Sequence, residues 1–536
     1  MEALKMNNWN HHSASREIGM SRSAKRQDEA QLARLGKREV LTRNFGFMAV
    51  LGFSATILMT WEGILSGGPA GTVYGYFFVW TGLAATYSML SEMASMAPTT
   101  GGQYHWCSML APKSTSKFSS YVTGWLTVVG WQASYAATCY ISGVMIQGII
   151  ILMHPDYIPH AWHTTLLSWA IVAFSVMINV VGGSLLPRFE GLILVIHVLG
   201  FFAVLIPLVY MADHNSAQYV FTTWQNSGEW PTQTLSTFVG MIGTVFSFAG
   251  GDAAVHMAEE TKNPQKLIPV SLMSSLLING ILGFAMLLAT LFCIGDLQAA
   301  IHTPTGFPFI EIFYQVTKSR GSACAMSSIM VFLPICAMTG VLATASRQFW
   351  AFSRDRGVPG WRIWSRVSES TNIPVNSVWL TAVISMLLGL IPLGSSVAFN
   401  DLTSMSTSGL YLSYIVCCIL LLWRRCTGGI MEMNDYRSRN SSGVVSEADE
   451  DIINTAGAKI VWGPFHLKGI FGIVANIVAI AYLLIVTFFS FFPPTAKITA
   501  STMNYSACGT VGVMLLSILY YVLRARKVFE GPIIEL

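Results

Sequence analysis

Asp252 and His256 stand four residues apart in an otherwise apolar stretch, directly after the pair Gly250 and Gly251. On a helix that spacing puts both side chains on one face. A carboxylate beside an imidazole can hold and release a proton near neutral pH, because each shifts the other's affinity for it. The same two residues would serve as a structural pair pinning the helix to its neighbours, and residue types alone leave both roles open. Two more titratable side chains lie in apolar surroundings: Glu62, and His197 within RFEGLILVIHVLG. Glu62 suits either a cationic amine headgroup or a hydrated place at the interface. His197 suits either a coupling proton carrier or a histidine satisfied by a backbone carbonyl. Trp61, Phe246, Phe248, Trp131 and Tyr135 offer ring faces worth about 2 kcal/mol or more to a desolvated ammonium group, although any one of them also suits plain packing. Trp131, Tyr135, Thr138 and Ser142 share one helical face, the inward-facing one in a bilayer.

The elements that must position these groups are helices in lipid. Residues 235–270 read LSTFVGMIGTVFSFAGGDAAVHMAEETKNPQKLIPV, an apolar helix interrupted at its two glycines. Adjacent glycines weaken a helix by about 1 kcal/mol each relative to alanine, and an acid at membrane depth costs roughly 2.5–3.5 kcal/mol. A chain that carries both in one turn is expected to gain a site there. A matching interruption is expected at Gly52, Phe53, Ser54, Ala55 and Thr56, five segments earlier. Paired discontinuous helices in corresponding halves of a chain point to a transporter's substrate site. A broken helix presents unpaired N–H groups on one side and carbonyls on the other, the first suiting a carboxylate and the second an ammonium. A zwitterion or amine is therefore expected between residues 52–56 and 248–252. Close helix packing around small residues is the alternative reading of Gly52 and Gly250.

With 53% hydrophobic and 11% charged residues over 536 positions, the chain is too apolar for an ordinary soluble protein, so its partner is a lipid bilayer. A formal net charge of +4 comes without a basic groove or stripe, and no nucleic-acid role follows. The nine cysteines lie mostly in apolar segments without C-x-x-C spacing, so neither a metal site nor a disulfide framework is expected. No cofactor motif is visible. Hydrolytic and nucleophile-elbow motifs are absent too, which argues against an enzyme.

Hydropathy gives twelve segments, near 46–66, 73–96, 124–152, 165–183, 190–211, 235–258, 269–295, 322–346, 376–393, 401–423, 468–491 and 507–524. If the N-terminus is cytosolic, 28 of the 31 Lys/Arg residues fall on the cytosolic side, leaving Lys318, Arg320 and Lys497 outside. That asymmetry is what the positive-inside rule requires, and it places both termini in the cytosol. The fold class expected is an all-α polytopic membrane protein. It has twelve transmembrane helices, of which ten form a 5+5 inverted repeat with helices 1 and 6 broken. The chain divides into a cytosolic, disordered tail (1–45), a transport core (46–423), a mobile cytosolic loop (424–467), a final helix pair (468–524) and a short cytosolic tail (525–536). Residues 1–45 hold no apolar run that would make a cleaved signal peptide. Asn504-Tyr-Ser is a glycosylation sequon on the outer side.

Three cytosol-facing motifs carry a family resemblance. After the second segment comes SEMASMAPTTGGQYHW, similar to P-x-[ST]-G-G-x-Y at Pro98, Thr100, Gly101, Gly102 and Tyr104. After the sixth comes EETKNPQKLIP, with Glu259, Glu260, Asn263, Pro264 and Pro269 in the E-E-[T/x]-x-N-P...P pattern. After the eighth comes SRQFWAFSRDRGVP, matching a basic motif at Arg347, Trp350, Ala351, Arg354, Asp355, Gly357 and Pro359. In this order the three resemble the amino acid, polyamine and organocation permease superfamily over roughly residues 40–525. TWEGILSGGPAGTVYGY with GGDAAVHMAEE looks most like its fungal choline and GABA permease group.

The resemblance implies import of an amino acid or amine such as GABA or choline across the plasma membrane, driven by protons. In proton-coupled relatives a lysine stands where His197 falls, which implies a proton-coupling role for His197 beside Asp252 and His256. Glu259, Glu260, Arg347, Arg354 and Asp355 are expected to form a cytosolic gate of opposite charges. A polyamine carrier, an amino-acid exchanger or a nutrient sensor of the same fold stay open.

Overall fold

Backbone groups in hydrocarbon must bond within their own segment, and a helix stands at each of the twelve hydropathic segments. The computed structural model describes residues 25–58, 67–183, 185–369, 371–394, 398–441, 452–500 and 502–535. We number these helices α1 (Phe47–Thr56), α2 (Gly68–Met96), α3 (Lys113–Met153), α4 (Ala161–Val180), α5 (Leu186–Met211), α6 (the interrupted unit Gln233–Glu260) and α7 (Pro264–Cys293). They continue as α8 (Arg320–Arg354), α9 (Val375–Leu388), α10 (Ala398–Cys426), α11 (Gly469–Ser490) and α12 (Ser506–Leu523). Among the described residues ten of these units, α3 to α12, are long and apolar enough to cross a membrane, α9 by counting the 3₁₀ turn that extends it to Leu393. No strand forms among the described residues, which hold only isolated bridges such as that between Phe45 and Thr261.

The bundle is built around α3, which packs along α10 and α8, while α2 lies against α7 and α11 and α1 lies against α5 and α7. Helices with little buried surface ring this core: α5 exposes Leu192, Val195, Leu199 and Ile206, and α12 exposes Leu515, Leu516 and Leu519. Apolar residues on the outer face of a soluble bundle would be a liability; against acyl chains they are the required surface.

Two segments expected to be solvated are docked. Within the N-terminal tail, residues 25–34 form a helix, and Leu32, Leu35 and Leu41 are buried. Phe45 N–H donates to Glu260 O (3.0 Å), and Arg43 Nη1 donates to Thr261 O (3.0 Å). The high charge of the tail suggested solvation, but its leucines supply an apolar stripe that the charges only flank. In the 424–467 loop, Ile453 and Val461 are buried with Tyr436, and Asn454 Nδ2 donates to Met96 O (2.9 Å). The acidic run 447–451 lies outside the described residues.

Candidate functional site

The α6 interruption forms as its glycines require. Helix Ile242–Ser247 gives way to a turn in which Gly250 takes φ +96°, a left-handed conformation open to glycine at little cost. The chain resumes as a 3₁₀ helix, Gly251–Glu260, and Pro264 then opens α7. Ten residues of 3₁₀ helix is long for that geometry, whose hydrogen bonds are poorer, and mid-helix stretches of it often mark functional hinges. Tyr87 of α2 spans the interruption: its hydroxyl donates to Phe248 O and accepts from Gly251 N–H, each at 2.9 Å. One side chain thus satisfies orphan groups on both sides of the break.

The interruption expected at 52–56 is not found there. Helix α1 runs unbroken from Phe47 through Thr56, and the chain leaves it only at Ile57 and Leu58. Gly52 is instead a packing residue, since a Cβ there would stand 2.5 Å from Glu190 O of α5. Phe53 meets Phe45 edge-to-face (6.0 Å between centroids), and Ala55 O accepts from Asn279 Nδ2 of α7 (3.0 Å). Ser54 is buried, and no protein group bonds its hydroxyl. Ile57 is the α1 residue that closes on the α6 break: a Cβ on Gly250 would meet its Cγ2 at 3.0 Å and the Trp131 ring at 3.5 Å. Trp61 and Glu62 lie outside the described residues.

Beneath the break sits a buried polar cluster. Asp252 is fully enclosed in the first turn of the 3₁₀ helix, where the N-terminal dipole favours a negative charge. Gln103 Nε2 donates to Asp252 Oδ2 (2.7 Å), and His256 Nε2 lies 3.8 Å from that oxygen. Thr100 O accepts from His256 Nδ1 (2.9 Å), and this assigns the ring's hydrogen to Nδ1 and leaves Nε2 facing the acid. Trp131 stands edge-on to the His256 ring, 5.8 Å between centroids. Among the described residues Asp252 Oδ1, His256 Nε2 and Trp131 Nε1 each have no hydrogen-bond partner. The arrangement can receive a cationic head, or pass a proton between carboxylate and imidazole. Thr100 and Gln103 come from the glycine motif after α2, whose chemical part in the site the spacing alone did not disclose.

The other expected contacts divide. Phe246 lines a cavity of about 340 Å³ on the far side of the break, with Ser247, Phe307, Phe399, Thr403 and Asn504. Phe248 turns away, edge-on to Tyr76 of α2 at 5.1 Å. The hydroxyl of Tyr135 has Cys139 and Ser175 of α4 as its polar neighbours, so this ring faces α4 and not the break. Thr138 and Ser142 donate to carbonyls one turn back on their own helix. His197 is not part of the cluster: it is half-buried on α5, with Asn279 as its polar neighbour. The Asn504 amide is buried and donates to Ser490 O and Phe492 O (3.0 Å each), so the sequon is closed to modification in this fold.

Glu190 is the acid that sequence reasoning passed over, because it stands near the end of its apolar segment. It is wholly buried where α5 crosses α1 and α8, and Thr56 Oγ1 (3.4 Å) and Thr339 Oγ1 (3.2 Å) donate to its two oxygens. Among the described residues no cation lies within ion-pair distance of it.

All five residues expected to form a gate are ion-paired. Arg354 grips Glu259 through two parallel bonds of 2.8 Å, and Arg347 Nε donates to Glu260 Oε1 (2.9 Å). Asp355 accepts from Lys37 Nζ (2.6 Å), from the Tyr104 hydroxyl (2.7 Å) and from Ile533 N–H (3.0 Å). Burial pushes the Asp355 carboxyl up, but Lys37 and Arg354 outweigh it and hold this group below the usual range. Arg354 also stacks on Trp350 and reaches Glu535 at 3.3 Å. This charge cluster therefore includes one residue from each terminal segment, Lys37 and Glu535. Neither stands in a motif, and only the folded chain brings them to Asp355 and Arg354.

A family model described as amino acid permease matches residues 44–515. The choline transporter of Saccharomyces cerevisiae is 30% identical over 501 residues, covering 92% of this chain and 83% of that one. The amino-acid permease BAT1 of Arabidopsis thaliana is 28% identical over 538 residues, covering 94% and 96%. The GABA-specific permease of S. cerevisiae is 25% identical over 522 residues, covering 94% and 86%.

Proposed function

We propose, from the premise that this chain belongs to the amino acid permease family of multi-pass membrane transporters, that it imports a small amine-bearing solute by proton symport. The class includes choline, GABA and amino acids, in keeping with relatives named for choline and for GABA. The observation that carries the reading is Asp252, a buried carboxylate with one oxygen unpartnered, directly beneath the α6 interruption and beside Trp131 and His256. A solute descends from the outer cavity past Phe246, and its ammonium group settles between Asp252 and the Trp131 face, where desolvation strengthens both attractions. The remaining candidates, from Gly52 to Thr56, act by shaping the α1 wall. Glu62 stays a proposed contact at the outer end.

Protons are carried by Asp252 with His256, with buried Glu190 and half-buried His197 as further titratable groups on α5. The ion pairs of Glu259, Glu260, Arg347, Arg354 and Asp355 close the cytosolic mouth and part when the transporter opens inward. The full architecture proposed is twelve crossings with both termini cytosolic. Residues 46–423 form the inverted-repeat transport core and 468–524 the final helix pair, in the plasma membrane. Uptake of radiolabelled choline, GABA and a panel of amino acids into proteoliposomes, with and without an imposed pH gradient, tests this reading. Gradient-dependent accumulation of at least one solute supports it, and Glu190→Gln and His197→Ala show which α5 group couples. Accumulation that ignores the gradient refutes symport.

A further inference from the structure

At the cytosolic ends of α10 and α11 a second cavity, about 260 Å³, is lined by Arg424, Arg425, Lys468 and His466 around Trp462. Arg425 is held by Glu92 and by Leu467 O, and its guanidinium lies 4.8 Å over the Trp462 ring. Among the described residues its Nε is buried without a partner, and His466 Nε2 makes no hydrogen bond, with Glu432 as its acidic neighbour. Arg424 donates only to carbonyls, Leu110 O (2.7 Å) and Ala111 O (3.2 Å), and neither Arg424 nor Lys468 has an ion pair among the described residues. Among the described residues the one acid lining the cavity is Glu432, at the half-exposed rim and 3.3 Å from His466 Nε2, while Glu92, outside the lining, is spent on Arg425. Two cations are thus left over. The start of α11 adds unpaired backbone N–H groups with no side-chain cap.

Along α10 and α11 the lining residues are neighboured by exposed apolar side chains. Ile470, Phe471 and Val474 on α11, with Ile419 and Trp423 on α10, are exposed next to the cavity, Phe471 at 78%. A soluble anion would have no use for that wall, whereas a phospholipid matches both parts at once: phosphate against the cations, acyl chains along the exposed helix faces. Basic pockets between helices at the cytosolic interface are suited to anionic headgroups. We infer that Arg424, Arg425, Lys468 and His466 form a binding site for an anionic phospholipid of the inner leaflet, seated between α10 and α11. This rests on the orientation proposed above. It also gives Lys468 and Arg424 a role beyond biasing topology.

The test is native mass spectrometry of the full chain in micelles doped with phosphatidylserine or with phosphatidylcholine. The wild type retains phosphatidylserine preferentially. Lys468→Gln, an exposed position just ahead of α11, lowers that retention about fivefold, the worth of one interfacial cation. Arg424→Gln lowers it at least as much. If Arg424→Gln does not fold, Lys468→Gln alone carries the result. Equal retention of the two lipids by the wild type, or unchanged retention in Lys468→Gln, overturns the site. Displacement of the lipid by millimolar inorganic phosphate assigns the pocket to a soluble anion and overturns the lipid reading. Uptake by the same preparation is measured separately, so loss of lipid selectivity with intact transport strikes this inference and not the proposed function.

Discussion

Replacing Glu259 by Gln removes the acid from the best-formed ion pair of the gate while keeping its size. Glu259 is 1% exposed and takes both bonds of the Arg354 fork at 2.8 Å. Removing one partner of a buried pair costs about 3–5 kcal/mol, most of it from the stranded charge. Here the stranded Arg354 retains Glu535 at 3.3 Å and its stack on Trp350, which trims the cost to roughly 2–3 kcal/mol. If those bonds exist only while the cytosolic mouth is closed, the loss is felt by that state alone. The inward-open population then rises roughly 30- to 150-fold.

Cys417 reports the opening. It is fully buried behind the gate, and its thiol donates to Gln103 O at 3.3 Å. Alkylation by a membrane-permeant maleimide, followed by peptide mapping at Cys417, is predicted to accelerate by that factor in Glu259→Gln. Outward-side binding of substrate weakens in step, because a smaller fraction of molecules is competent. Unchanged labelling together with unchanged uptake would show that this pair is only a topological charge and refute the gating argument.

Two other perturbations follow from the geometry. Tyr87→Phe leaves Phe248 O and Gly251 N–H without the hydroxyl that bridges them. Buried unsatisfied groups cost about 1–3 kcal/mol, so a lower unfolding temperature and reduced uptake are expected together, and neither if the bridge is incidental. His105 lies outside the spans, and burial pushes its imidazole down to about 4, with Nε2 donating to Asn454 O at 3.0 Å. A group held neutral in this way binds its proton more readily in the unfolded chain. Stability should therefore fall as pH drops from about 6.5 to about 4, by up to about 1.4 kcal/mol per unit. Thermal unfolding across that window is expected to be flatter in His105→Gln, which keeps the donor but cannot titrate; parallel curves would refute the assignment.

Periodicity and composition disclosed the helices and the α6 break, because an unpaired acid after two glycines in an apolar run is locally anomalous. The gate charges were legible for the same reason, being embedded in a recognisable motif. Tyr87 and Glu190 were not. A tyrosine in an apolar segment carries no mark of what it bonds, and Glu190 lies only a turn from its helix end. The α1 break expected at Gly52 is absent there because Gly52 has two uses, interruption and close approach, and only the position of α5 decides between them. The terminal segments were misjudged by their charge: Lys37 reads as solvated until Asp355, 318 residues away, is brought to 2.6 Å.

The central claim is that a solute's ammonium group rests on Asp252 at the α6 interruption. Equilibrium binding of a transported radioligand to purified protein, wild type against Asp252→Asn, tests it most directly. The account predicts that the variant, folded and of ordinary unfolding temperature, binds at least tenfold more weakly, in line with about 1.5–3 kcal/mol for a hydrogen bond to a charged group. Equal affinity in the two proteins would contradict it.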